Sequence, residues 1–189
     1  SIDWSQIELV LIGDQSGDPE FARAYGQLPY KDLHTGAAVT GLQVLVPDLT
    51  EEFFLEMGRK TEEEINDLSP KLLIDVNGNP MAPGKAKGYW RTTIGKGSNF
   101  NYWYSGALST VGDTLGWTSD QMWEATDRYR TLFAVAEEWR KGQIATLKET
   151  GFVTLPDNHR RVRFEATPTW GRIMANFFGA YQNQAITRF

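Results

Sequence analysis

The chain has 189 residues, 41% of them hydrophobic and 13% aromatic, and a net charge of −5 at neutral pH, which is enough apolar side chain for one sizeable core. It contains no cysteine and two histidines, His34 and His159, so disulfides, thiolate nucleophiles and cysteine-ligated zinc are excluded and any bound metal would need carboxylates. There is no apolar run of about 18 residues and no basic-then-apolar N-terminal stretch, so the sequence predicts neither a membrane span nor a signal peptide, and a cytoplasmic setting.

Taken in chain order, the run "IELVLIGDQ" with its β-branched residues, closed by the turn signal "SGDP", predicts a strand over residues 2 to 12. "DPEFARAYG" predicts a helix with Asp18 as N-cap, Pro19 at its first position and Gly26 at its end. "KDLHTGAAVTG" predicts a second short helix that stops near Gly41. The acidic stretch that follows contains "TEEFFLEMG" and "TEEEINDLS", and Thr61 with Glu64 forms a capping box. "DVNGNPMAPGKAKG" is rich in Gly, Pro and Asn and reads as a loop.

Helical spacing returns from Tyr89 to Ser105, but Gly95 and Gly97 lie inside it, and each costs about 1 kcal/mol relative to Ala. The strongest helical pattern is Met122, Ala125, Tyr129, Leu132, Phe133, Ala136 and Trp139 at three- and four-residue steps; Thr118 or Ser119 caps it, Gly151 ends it, and Gly142 is a place where it could divide. "FVTLPDNHRRVRF" predicts a β-hairpin around "PDN", with Arg161 and Arg163 on one face, and "WGRIMANFFGAYQNQAITRF" a last helix. The expected fold class is therefore α+β, helix-dominated with few strands.

Charge is segregated along this order. Residues 47 to 75 hold nine acids against three bases, residues 76 to 112 hold Lys85, Lys87, Arg91 and Lys96 with no acid, and residues 158 to 189 hold five arginines against Glu165. The middle stretch interleaves its cations with Tyr89, Trp90, Phe100, Tyr102, Trp103 and Tyr104. Such stretches can meet phosphates and stack on bases, or they can be solvated faces around an aromatic core.

Two constellations carry possible chemistry. An aspartate at the third position of an apolar strand is poorly explained by packing, because burying an unpaired charge is expensive. Asp3 is then either a ligand for Mg²⁺, which takes hard oxygen donors, or a solvated strand end. Farther on, Lys96, Phe100 and Tyr104 step by four and share one helical face, with Asn99 beside them. A cation followed by two aromatics suits a triphosphate at one end and a base or sugar at the other; the alternative is a core-facing stripe with a snorkelling lysine. A Walker-type phosphate loop is excluded, since "GNPMAPGKA" has one residue too many between its glycines and no Ser or Thr after the lysine.

In order and spacing, "DWSQIEL", "SGDPEFARAYG" and "KDLHTGAAV" resemble the first palm motif and following segments of the DNA polymerase I family, the family A DNA polymerases, written D-Y-S-Q-I-E-L, S-G-D and D-I-H-T. "KGSNFNYWYSG" resembles the fingers helix of that family, K-x-x-N-F-x-x-x-Y-G, and "GFVTLPDNHRRVRF" its G-Y-V-x-T-x-x-x-R-R-R hairpin. Arg172 and Asn176 match the R-x-x-x-N before its template-contacting glutamine. The resemblance spans nearly the whole chain and implies a partial palm with few antiparallel strands in residues 1–42, an insertion over 43–88, fingers helices over 89–150, and a palm-side hairpin and template-contacting helix over 151–189.

What the resemblance implies for single residues is specific. Asp3, with the backbone carbonyl of Trp4, would hold two catalytic Mg²⁺ ions, and Glu8 would exclude a ribose 2′ hydroxyl. Gln6 would hydrogen-bond in the minor groove of the nascent pair. His34 and Lys96 would contact the incoming phosphates, Phe100 the sugar and base, and Tyr104 the templating position. Arg160, Arg161, Arg172 and Asn176, with Gln182 or Gln184, would track primer-template DNA. The implied partners are primer-template DNA and a deoxynucleoside triphosphate, in the cytoplasm of a bacterium or a phage-infected host.

The chain departs from the family pattern at several points. Arg91 stands five residues before Lys96, where the family's phosphate-binding arginine stands four before, and position 92 is Thr. One residue turns an α-helix by about 100°, so Arg91 needs a local bulge or another route to the phosphates. Ser105 replaces the usual glycine and Val10 the usual arginine. The 43–88 insertion reads either as a partner contact or as a solvated loop. The family's second catalytic motif, H-D-E, does not occur in the sequence. The expectation is thus a split polymerase, completed by companion chains that carry the second aspartate and the thumb and inactive alone. The alternative is a non-catalytic nucleic-acid-binding subunit of a replication complex.

Overall fold

A computed structural model of the chain describes residues 7–26, 31–105, 107–154 and 161–163, with backbone alone for residues 7, 8, 104, 105, 152–154 and 161–163. The apolar run expected as a strand forms a helix, α1 (Ile7–Ser16). A continuous apolar run does not by itself distinguish strand from helix, and length arbitrates. Ten residues with Leu9 and Ile12 buried three positions apart fit a helical face. The stop signal is Gly17 at φ 67°, whose N–H donates to the Gly13 carbonyl at 2.9 Å, a left-handed helix end that only glycine adopts without cost.

The helices that follow obey their sequence signals. Asp18 caps α2 (Pro19–Tyr25) through the Glu20 N–H, and Asp32 caps α3 (Leu33–Leu42) through the His34 N–H. Thr50 caps α4 (Glu51–Glu56), and both bonds of the Thr61–Glu64 capping box are present at the start of α5 (Glu62–Leu68). The Gly/Pro-rich segment is only partly a loop. Asp75 accepts from the Asn77 and Asn79 N–H groups, closing a turn, and α6 (Pro83–Trp90) begins inside the stretch expected to lack structure, on a proline at its first turn. Residues Arg91–Lys96 then form a π-turn that runs into α7 (Gly97–Ser105).

After α8 (Ser109–Leu115), the long helical pattern divides into α9 (Ser119–Leu132) and α10 (Ala134–Thr150). The break falls at Phe133, at φ −118° and ψ 49°, and not at Gly142, which lies in the α10 interior. Phe133 is fully buried, with its ring 4.8 Å from that of Phe21, while the Ala136 N–H donates at 2.9 Å to the buried Asp18 carboxylate. Packing and a distant cap thus set the boundary, against the local cost of an interior glycine. β1 (Phe152–Thr154) pairs antiparallel with β2 (Arg161–Arg163), Thr154 opposite Arg161, as the hairpin reading expects.

The expected α+β architecture, a partial palm of few antiparallel strands, is therefore overturned. The described residues are almost wholly helical, and among them β1 and β2, three residues each, are the only strands. The expected last helix lies outside the described residues. Among the described residues no helix is long and apolar enough to cross a membrane.

The chain divides into two compact units, one of residues 1–31, 103–106 and 132–189, the other of residues 32–102 and 107–131. In the first, α1 packs on α2 and α10, and Phe21, Trp103 and Phe133 form an aromatic cluster with centroid separations of 4.8 to 6.2 Å. In the second, the most extensive helix contact is α3 against the π-turn. Gly41 and Gly95 each permit a close approach at this crossing: a Cβ on Gly41 would lie 2.5 Å from Ile94 Cγ2, and one on Gly95 would overlap the His34 carbonyl. The indole N–H of Trp90 donates to the Leu72 carbonyl at 2.8 Å and ties α6 to the 3₁₀ turn Pro70–Leu73.

Because the obstacle at Gly95 is backbone, Gly95→Ala is expected to destabilise the protein by about 3 kcal/mol, at the upper end of overpacking costs. Urea denaturation measures this; an unchanged midpoint would contradict the close crossing.

Candidate functional site

The α3/π-turn crossing gathers chemistry from distant parts of the sequence. Hydrogen bonding from i to i+5 widens the turn, so residues five apart come as near to one face as residues four apart do in an α-helix. Arg91 and Lys96 are the two ends of this turn. The one-residue offset from the spacing of the resembled family, for which a local bulge or another route is expected, coincides with this π-turn.

Arg91 grips Asp32 with two donors, Nε to Oδ2 at 2.5 Å and Nη2 to Oδ1 at 3.0 Å, while Thr35 Oγ1 donates to Oδ2 at 2.9 Å. Asp32 thereby caps α3 and anchors the arginine, whose side chain keeps 38% of its surface in solvent. Burial pushes the Asp32 carboxyl up, but the bonds from Arg91 and Thr35 and the Arg91 charge outweigh it and hold it below its ordinary 3.8.

His34, two residues on, is buried. Burial is the main force that drives its pKa below the ordinary 6.5; Asp32 opposes it, and the charges of Arg91 and Lys96 reinforce it. At neutral pH the imidazole is uncharged. Its Nδ1 lies 2.8 Å from Nδ2 of the buried Asn99, and the Tyr129 hydroxyl donates to Oδ1 of the same amide. Tyr129, also buried, has its ring 4.7 Å from that of Tyr102.

Lys96 and Phe100 occupy the exposed side of the same helical segment. Phe100 is 41% exposed, and Lys96 Nζ sits 5.7 Å from its ring centroid. A cation–aromatic contact at an exposed site is worth about 0.5–1 kcal/mol. The site therefore offers two cations and an exposed ring, with a buried neutral imidazole beside them. That combination suits a polyanion with an attached planar or sugar moiety.

The structure brings together His34, Arg91, Lys96 and Phe100 of the residues singled out from sequence. Tyr104 lies in α7 and Glu8 in α1, described by backbone alone, as is Arg161 in β2. Asp3, Trp4, Gln6, Arg160, Arg172, Asn176, Gln182 and Gln184 lie outside the described residues. Among the described residues there is no group of three or more His, Asp or Glu side chains placed to hold a metal ion. Sequence reasoning assigned no role to Asp32 or Tyr129. Asp32 carries a visible signal, an N-cap aspartate two residues before His34, whereas Tyr129 has none beyond its place on an amphipathic face. No protein-family model matches the chain, and no curated protein matches it.

With its pKa lowered on folding, His34 binds fewer protons folded than unfolded, so stability is complete above 6.5 and falls as pH drops through that value. Asp32, also lowered, adds a second loss below 3.8. Denaturation midpoints across pH are expected to show the first slope in the native chain and to lose it in His34→Gln. A native profile flat through 6.5 would contradict the buried neutral imidazole.

Proposed function

We propose that residues 1–189 belong to a DNA-templated DNA polymerase of the family A type and supply its first metal-binding aspartate, its sugar gate and its surface for the incoming deoxynucleoside triphosphate. The second catalytic aspartate and the thumb come from polypeptide outside these residues. The resemblance of four separated blocks in the family's order supports the reading. The observation that carries it is the exposed Lys96–Phe100 edge, with Arg91 brought towards it by the π-turn and His34 beside it.

In this reading the triphosphate lies against Lys96, Arg91 and His34, where charge-assisted hydrogen bonds are about twice as strong as neutral ones. Phe100 packs against the sugar and base. Asp32 restrains Arg91, so the guanidinium meets the phosphates already ordered and less side-chain entropy is lost on binding. Asp3 and the Trp4 carbonyl would hold Mg²⁺, which when bound activates the primer 3′ hydroxyl and stabilises charge on the transferring phosphoryl group. Glu8 selects deoxyribose, Gln6 and Tyr104 touch the nascent pair, and Arg160, Arg161, Arg172 and Asn176, with Gln182 or Gln184, hold primer-template DNA through contacts that position without reading sequence.

The test is templated primer extension with Mg²⁺, the chain being combined with the polypeptide that carries the H-D-E aspartate and thumb. Extension is expected from the combination and from neither part alone, and Asp3→Ala is expected to abolish it. Lys96→Ala is expected to weaken nucleotide affinity about tenfold or more, as for the loss of a charged hydrogen bond. Undiminished extension by Asp3→Ala would overturn the reading. So would primer-template binding that no deoxynucleoside triphosphate tightens, which is the behaviour of a non-catalytic binding subunit.

A further inference from the structure

Asn99 and Tyr129, buried and linked to His34, are left without a task by the proposed function. The direction of this linkage follows from the orientation of the Asn99 amide, whose Oδ1 faces the Tyr129 hydroxyl and whose Nδ2 faces the imidazole. The Tyr129 hydroxyl donates to Asn99 Oδ1, so the amide presents Nδ2 to the imidazole, and an amide nitrogen only donates. His34 Nδ1, at 2.8 Å, is therefore the acceptor, and the single proton of the neutral ring sits on Nε2. All three side chains are 6% exposed or less, so water does not compete for these bonds.

We propose that Asn99 and Tyr129 are positioning residues that hold His34 in the neutral form with its proton on Nε2, the form in which it donates a hydrogen bond to a phosphate oxygen. This deepens the nucleotide-binding reading and rests on it for the identity of the ligand. The arrangement divides labour within the site. Arg91 and Lys96 supply charge, whereas His34 supplies a directed donor that adds no third cation beside them. The charged groups that act on the ring are Asp32, at the N-cap of its own helix, and Arg91 and Lys96, from the π-turn packed against it. Tyr129, from α9, reaches it through Asn99.

The chain has two histidines, so long-range ¹H–¹⁵N correlation spectra of the full chain labelled in histidine hold two ring systems, and His34→Gln identifies one of them. His34 is expected to show a protonated Nε2 and an unprotonated Nδ1. Asn99→Asp, nearly isosteric, replaces the donor by an acceptor and is expected to move the proton to Nδ1 or to charge the ring. Tyr129→Phe removes the group that orients the amide and is expected to give mixed tautomers with the fold retained by circular dichroism. A native His34 protonated on Nδ1, or a tautomer indifferent to both substitutions, would overturn the proposal.

Titration with inorganic tripolyphosphate separates this proposal from the function beneath it. Asn99→Asp is expected to weaken its binding about tenfold or more, with Tyr129→Phe between Asn99→Asp and native. Shifted tautomers with native affinity would overturn the positioning role. Tautomers that behave as stated in a native chain that ignores tripolyphosphate would leave the His34 geometry standing and remove the nucleotide reading.

Discussion

The second unit depends on one close approach, the π-turn laid against the start of α3 with Gly95 on the His34 carbonyl. No side chain larger than hydrogen fits there without displacing backbone. In the sequence 61 residues lie between His34 and Lys96. In space the crossing places Arg91 on Asp32 and Asn99 on His34. Both pairs are consequences of that approach, and both would part if α3 moved off.

The electrostatics follow from the same geometry. Asp32 serves twice, at the α3 N-terminus and on Arg91; burial raises its pKa, but the bonds from Arg91 and Thr35 and the Arg91 charge outweigh it. His34, shut away from water beside two cations, stays neutral. The π-turn has a comparable logic. It forgoes the tighter α-helical bonding and has Arg91, held on Asp32, and Lys96 as its two ends; such turns recur at functional sites. In the first unit Asp18 likewise serves two helices, capping α2 and the start of α10.

Much of the local structure was legible in the residues. Caps at Asp18 and Thr61, the end of α3 near Gly41 and the antiparallel pairing of β1 with β2 all follow from short-range chemistry. Over residues 7 to 12 the expected strand gives way to α1 because "LVLI" is apolar on both faces and lacks periodicity, and the αL glycine at position 17 is the better signal; residues 2 to 6 lie outside the described residues. Gly142 misled for the opposite reason, since its helix cost is small beside the burial of Phe133. In the site, Lys96 and Phe100 are readable from their spacing of four, whereas a bulge at Arg91 is one of two routes that the family resemblance leaves open. The Tyr129–Asn99–His34 chain is not readable, because three helices far apart in sequence meet to form it.

A seat for a nucleoside triphosphate at this crossing is the proposal on which the functional reading stands. Its most direct measurement is a backbone amide titration of the full chain with a deoxynucleoside and its mono-, di- and triphosphates, followed at Arg91, Lys96, Asn99 and Phe100. Shifts confined to those residues, with affinity rising at each added phosphate, are the predicted result. Shifts elsewhere, or an affinity indifferent to the number of phosphates, would contradict it.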